Sequence, residues 1–431
     1  MQPLSRPLDT IEPHYDAVVI GSGYGGGVAA ARLAQYGRRV CVLERGKEFP
    51  TGKFPDKFQA IRREVQITSP STRFGSRDGL FDIRIGEDID VFVGCGLGGG
   101  SLINAGVAMR PDARVFQDKA WPEEIRSDGH LDDAFARARG MMGPATNPQV
   151  EQLTKYKALE RASEPLGAEP HPAEVTVAFH DTVNPAGVEQ AACTQCGDCL
   201  TGCNVGAKTS IALTYLPEAK RHGAEIFTGV SVDHVTRADG QWLVRYTPTG
   251  GKAKDAEAPR SLSAATVIIA AGTLGSTEIL LRSQENGLGL SDRLGAGFSA
   301  NGDIIGFGVG ADERVNAIGV GHPPKADIDM VGNCVSGQTR LNANDALELG
   351  MYLQEGVVPS GLAPLLPLAF LPKGAIRDAA QSLLKGVYQG PFSKLHSFFA
   401  VGQDSASGRL VLKNGRLTVA WKDVANEGIY E

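Results

Sequence analysis

The sequence predicts an α/β protein: a Rossmann-like dinucleotide-binding domain with an interleaved α+β domain built on an antiparallel sheet. Three observations carry that expectation. The first is the order strand, glycine turn, helix, strand and acid across Ala17-Val-Val-Ile20, Gly21-Ser-Gly23-Tyr-Gly-Gly26 and Leu43-Glu44. The second is a later apolar strand, Ala265-Thr-Val-Ile-Ile-Ala270, again followed by a glycine turn and a helix. The third is a pair of hairpin signatures, Asp239-Gly240 and Asn414-Gly415, each set between alternating strands.

In the opening unit each residue type has a physical task. Gly21 permits the tight turn, Gly23 admits a pyrophosphate close to the backbone, and Gly26 lets helix and strand pack closely. The unpaired N–H groups of the helix start face the phosphates. Ala29, Ala30, Ala31 and Leu33 continue the helix and Gly37 ends it. Arg39-Val-Cys-Val-Leu43 forms the second strand and sets Glu44, 18 residues beyond Gly26, where a carboxylate can bind ribose hydroxyls.

From Lys47 to Asp90 the chain is mixed and turn-rich, which suits a cover over a cofactor more than a sheet core. A dense glycine segment follows, Gly94-Cys95-Gly96-Leu97-Gly98-Gly99-Gly100-Ser101-Leu-Ile-Asn104-Ala-Gly106, whose backbone can pass against something flat. Helices are expected over 131–139 and 149–164, and a strand over 175–179. A helix from Tyr215, with Pro217 in its first turn and Gly223 at its end, leads to a strand over 224–228. The expected domains are 13–108 with 215–302 for the cofactor, 109–214 as an insertion carrying a cysteine cluster, and 303–431 for the substrate.

The chain has 431 residues and a formal net charge of -6, and it lacks a Lys/Arg cluster, so no nucleic-acid partner is expected. Neither a signal-peptide core nor 18 consecutive apolar residues occurs, which predicts a cytoplasmic protein without a transmembrane segment. Fifty-four glycines gathered after apolar strands read as cofactor-contacting backbone.

Cys193-Thr-Gln-Cys196-Gly-Asp-Cys199-Leu-Thr-Gly-Cys203 has the spacing of a ferredoxin run. Soft thiolates so spaced suit an iron–sulfur cluster or zinc, and free or disulfide-paired thiols are the other reading. No second run exists to share a cluster, and Asn204 stands where a proline is usual. Gly361-Leu-Ala-Pro-Leu-Leu-Pro-Leu-Ala-Phe-Leu371 is too short to span a bilayer and too proline-rich for a helix. It reads as the wall of an apolar pocket, in contact with a membrane surface on one reading, or as a buried loop.

Together these segments resemble the glucose-methanol-choline oxidoreductases, flavoproteins that oxidise alcohols, and most closely their cholesterol-oxidase-like branch. VVIGSGYGGGVAAARLA with VLERGKEF is similar to the first FAD motif, GCGLGGGSLINAGVAMRP to the segment against the flavin ring, and VIIAAGTLGSTEILLRS with the following LGAGFSANGD to the second signature region. The resemblance implies that Gly21, Gly23, Gly26 and Glu44 hold the ADP part and that Gly98, Gly99, Gly100, Ser101, Asn104 and Gly106 lie near the isoalloxazine. It also implies that Val232 meets the adenine through its backbone and that Gly272, in the third glycine turn, belongs to the cofactor site. Three separated glycine elements independently favour a long buried cofactor such as FAD over a nicotinamide.

The same resemblance places Glu355 in a sterol cavity as a base for double-bond migration; a solvated loop glutamate is the alternative. The family's histidine segment, of His-Pro-x-Gly-Gly type, has no counterpart among the eight histidines, so the chain is expected to be C-terminally truncated. The expected function is FAD-dependent oxidation of a small apolar alcohol, a sterol first, by hydride transfer to flavin. The alternatives are an FAD/iron–sulfur dehydrogenase of a sugar, polyol or long-chain alcohol that delivers electrons to an acceptor, and an inactive FAD-binding fragment.

Overall fold

The computed structural model describes residues 2–127, 129–249, 258–321, 330–342, 347, 350–366 and 386–430. A six-stranded sheet organises the cofactor half. Its strands run in the order Glu225–Phe227, Val40–Leu43, His14–Ile20, Arg260–Ile269, Gln241–Pro248 and Val230–Ala238. The first four are mutually parallel and the last two join antiparallel. Parallel strands are covered on both faces, which is why Ala17–Ile20 is apolar without alternation. Ala17 and Val19 pack with Ala30, Ala31 and Leu216 of the helices Tyr24–Gln35 and Tyr215–Arg221. Val18 and Ile20 pack on the other face with Phe227, Val244 and Ile279. Ile279 belongs to the helix Gly272–Glu285, which follows the third glycine turn as expected.

The region expected only as a cover is itself a sheet. Arg73–Gly75, Val65–Thr68, Phe81–Arg84 and Val91–Gly94 form four short strands in that spatial order. Their brevity, three or four residues each, hid them from the sequence, since periodicity needs several residues to register.

A separate five-stranded antiparallel sheet runs Ile304–Gly308, His396–Val401, Met351–Gly356, Gly337–Leu341 and His171–Pro172. The last strand comes from the stretch 109–214, so that stretch contributes directly to this sheet. Its helix Thr154–Ser163 lies against one face, where a Cβ on Gly337 would stand 2.2 Å from the Tyr156 ring. This helix begins later than the periodicity indicated because Leu153 is extended and a single 3-10 turn, Val150–Gln152, precedes it. The strand expected over 175–179 is confined to Glu174–Val175.

The Asn414-Gly415 hairpin forms as expected, with both turn residues at positive φ (52° and 69°). It does not join the five-stranded sheet. Gly408–Lys413 pairs instead with Ala296–Phe298 on one side and Arg416–Ala420 on the other, and Leu410, Leu417 and Val419 pack on Leu274 at the start of the Gly272–Glu285 helix. That placement carries the hairpin turn to the cofactor half. No helix among the described residues is long and apolar enough to cross a membrane.

Candidate functional site

A cavity of about 590 Å³ runs along the carboxyl ends of the parallel strands. That is the crevice where open α/β sheets bind ligands, and the volume falls within the roughly 300–1,000 Å³ usual for small-molecule sites. Of the residues expected at a cofactor, Gly21, Gly23, Glu44, Gly99, Gly100, Val232 and Gly272 all line it. Gly26, Gly98, Ser101, Asn104 and Gly106 do not line it.

The glycine turn leaves no room for side chains. Gly21 has φ +95°, and a Cβ there would lie 2.4 Å from the Ala270 carbonyl oxygen. On Gly26 it would lie 2.0 Å from the Gly21 oxygen, and on Gly99 2.8 Å from Gly23 Cα. The first and second glycine segments thus meet backbone to backbone, an approach only glycine allows.

Ser22, a residue the sequence reading passed over, ties this corner together. Its Oγ donates to Glu44 Oε2 at 2.5 Å and accepts the Gly98 N–H at 3.0 Å, while its own N–H donates to Glu44 Oε2 at 3.1 Å. Glu44 Oε1 accepts the Gly46 N–H at 2.8 Å. The carboxylate is therefore buried and fixed before any ribose reaches it. The signal was present as a hydroxyl in a variable position of the glycine motif.

Outside the lining, Ser101 Oγ donates to the Gly98 carbonyl at 2.6 Å and accepts the Ile211 N–H at 3.0 Å. Asn104 Nδ2 donates to Tyr24 Oη at 2.8 Å, linking the second glycine segment to the first helix. Gly106 accepts the Thr176 N–H at 2.7 Å. Fully buried Lys208 fastens the segment from below, with Nζ donating to the carbonyls of Leu102 (2.8 Å), Asn104 (2.9 Å) and Cys199 (2.8 Å). Burial lowers the pKa of this lysine.

The four cysteines are corrected. Cys193, Cys196, Cys199 and Cys203 form no disulfide, and among the described residues no group of three or more His, Cys, Asp or Glu is placed to hold a metal ion. Nothing among the described residues supports the expected iron–sulfur or zinc site. Cys196 and Cys199 pack as small apolar groups with Ala207, Val331 and Val335. Burial raises the pKa of Cys196 and Cys199 and pushes Cys193 up to about 12. Spacing alone cannot report this, because the fold decides where each Sγ points.

Glu355 lies in the strand Met351–Gly356 and does not line the cavity. Its Oε2 accepts from Lys155 Nζ at 2.5 Å, and its Oε1 accepts the N–H groups of Ser336 (2.7 Å) and Gly337 (2.8 Å). Burial raises its pKa and Lys155 opposes that rise. Of the apolar run, residues 361–366 are described. Ala363 and Leu366 are buried beside Ile318, Phe392 and Leu395, and Leu365 is exposed; 367–371 lie outside the described residues. None of the histidines lines the cavity, and His322 lies outside the described residues.

A glycine-turn Rossmann sheet with a fixed acid, a second glycine segment laid against the first and a companion antiparallel sheet define a dinucleotide-dependent oxidoreductase fold. Residues 15–301 match the GMC oxidoreductase family, and the chain belongs to it. A cholesterol oxidase of Mycobacterium tuberculosis is 31% identical over 312 residues, 68% of this chain and 53% of the relative. A cholesterol oxidase of Acinetobacter baumannii is 26% identical over 309 residues, 68% of this chain and 55% of the relative. A long-chain-alcohol oxidase of Arabidopsis thaliana is 27% identical over 240 residues, 54% of this chain and 28% of the relative. The chain thus spans about half the length of the cholesterol oxidases it matches. Among solved structures, pyridoxine 4-oxidase from Mesorbium loti shares the fold, with TM-score 0.55 at 16% identity over 95% of this chain and 76% of that one.

GMC oxidoreductases bind FAD, and the residues present fit that group. A Cβ at Gly21, Gly26 or Gly99 would collide with backbone, Glu44 is held fixed by Ser22 and Gly46 at the cavity wall, and the cavity joins the glycine segments.

Proposed function

We propose that this chain carries the cofactor site of an FAD-dependent oxidoreductase acting on the CH–OH group of a hydrophobic alcohol, with sterols as the first substrate class. The observation that carries the reading is the single cavity on which all three glycine-rich segments converge. FAD, when bound, supplies a hydride acceptor for the alcohol carbon. The chain's own part is binding and orientation: Glu44 meets the ribose, Gly21 and Gly23 give backbone access to the diphosphate, and Gly99 and Gly100 border the ring. Tyr24 and Asn104 keep the second glycine segment against the first. Glu355 is not given the proton-accepting role in this proposal, because all its oxygens already have donors.

The sterol assignment is supported by the cholesterol oxidases among the relatives. Long-chain alcohols are a second reading, supported by the Arabidopsis relative. Anaerobic mixing of the flavin-loaded protein with cholesterol or with a long-chain primary alcohol tests both through bleaching of the flavin absorbance. Bleaching by one and not the other chooses between them, and none with either alcohol leaves FAD binding without alcohol oxidation. Peroxide formed on admitting air distinguishes oxygen from a protein as electron acceptor.

A further inference from the structure

The cavity wall carries more positive than negative charge. Arg45, Arg73, Arg84, Arg282 and Arg416 line it, against Glu44, Asp82 and Glu278. Three of the arginines are matched. Arg45 pairs with Asp82 at 2.6 Å, Arg84 with Asp82 at 2.9 Å and Glu278 at 3.4 Å, and Arg282 with Glu278 at 2.6 Å. Arg73 and Arg416 pair with no carboxylate among the described residues. Each makes one long hydrogen bond to a neutral acceptor, Arg73 to Gln66 Oε1 at 3.3 Å and Arg416 to the Pro70 carbonyl at 3.3 Å. Both guanidinium groups therefore keep most of their donors uncommitted.

These two residues come from unrelated elements. Arg73 opens the cover-sheet strand Arg73–Gly75, and Arg416 follows the hairpin turn. The Arg416–Pro70 contact brings the hairpin to the turn just before Arg73, so both cations border one rim. Five arginines against three carboxylates leave the wall with a net charge of +2, which balances the two negative charges of a diphosphate, and guanidinium groups bind phosphate oxygens with paired N–H donors. The glycine turn can offer backbone N–H groups only from its own side.

We propose that Arg73 and Arg416 form a side-chain clamp on the FAD diphosphate, facing the glycine turn across the cavity. This rests on the FAD reading above and adds to it the residues that neutralise the cofactor. The clamp selects a ligand bearing two phosphate charges, and it makes retention of the cofactor sensitive to salt.

The test is titration of flavin-free full-length chain with FAD, followed by flavin fluorescence at several ionic strengths. R73Q and R416Q are each expected to weaken FAD binding about tenfold, the scale of a charge-assisted hydrogen bond, and to flatten its salt dependence. R73K and R416K, which keep the charge but lose the paired donors, should keep the wild-type salt dependence with an affinity between those of wild type and the glutamine variants, and ligand-free melting should be unchanged. FAD affinity within twofold of wild type in both glutamine variants overturns the clamp, as does a salt dependence in the lysine variants as flat as in the glutamine ones. If a glutamine variant does not fold, the wild type decides: binding indifferent to ionic strength also overturns it. Wild-type protein that does not bind FAD at all sinks the FAD reading itself, a result distinct from any variant outcome.

Discussion

Lys155 Nζ and Glu355 Oε2 meet at 2.5 Å between the Thr154–Ser163 helix and the five-stranded sheet, and both side chains are almost wholly buried (1% and 0% exposed). Lys155 also donates to the carbonyls of Asn333 (2.8 Å) and Cys334 (3.2 Å) and to Ser336 Oγ (3.2 Å). A buried pair this well supplied with partners locks a helix to a sheet. Removing one member strands the other charge. Lys155→Met should cost about 3–5 kcal/mol. The double variant Lys155→Met with Glu355→Leu should recover a large part of that. Urea unfolding of wild type, both single variants and the double variant checks it; additive losses in the double variant would refute the pairing.

His396 supplies a pH dependence. Burial, with repulsion from Lys155 and Arg161, lowers its pKa from 6.5 to about 4, and its Nε2 has no hydrogen-bond partner. The unfolded chain takes up this proton near pH 6.5 while the folded one resists to about 4. This contribution is therefore complete above 6.5, falls as pH drops through that window and is gone below about 4, a change on the order of 3 kcal/mol. Denaturation midpoints between pH 7 and 4 should decline less steeply for His396→Phe than for wild type.

Ser22 should matter to cofactor binding although it is not a glycine. Ser22→Ala deletes the 2.5 Å bond to Glu44 and the acceptor for the Gly98 N–H, leaving a buried polar group short of a partner. A loss of about 1–3 kcal/mol is expected, shared between stability and FAD affinity. Equal melting temperature and equal FAD affinity in wild type and variant would remove this role.

Lys208 should affect reaction more than binding. Lys208→Met frees the carbonyls of Leu102, Asn104 and Cys199, and so loosens the segment bordering the flavin ring while leaving Glu44 and the first glycine turn untouched. Alcohol-dependent flavin reduction should slow by at least about tenfold with FAD affinity changed little, a split consistent with misplaced reacting groups.

The cysteines give an analytical prediction. Purified protein should contain neither iron nor zinc in stoichiometric amount, and Cys193→Ser should leave the flavin spectrum unaltered. Stoichiometric metal lost in the serine variant would overturn the packing role.

What the sequence disclosed follows from the range of each interaction. The first strand–turn–helix, the third glycine turn and both hairpins were legible because their rules are local: apolar runs, φ-permissive glycines, Asn-Gly and Asp-Gly turns. The five-stranded sheet was anticipated only as a type. Its His171–Pro172 strand is two residues long and pairs with Gly337 and Gln338, far off in the chain. Ser22, Lys208 and the arginine pair at the cavity rim escaped for the same reason, since their partners are fixed by tertiary contact. Conversely, the cysteine spacing looked like a ligand set and became core packing once burial was known.

The hairpin turn that touches the cofactor cavity has a temporal meaning. Glu44 and Arg416 border the same cavity, yet they are separated by 372 residues. At about 5–20 residues per second of synthesis, the acid emerges tens of seconds before the arginine that completes the enclosure. During that interval the nascent chain presents a half-built nucleotide crevice, and cofactor captured early can escape. Stable loading thus waits for the arrival of this hairpin.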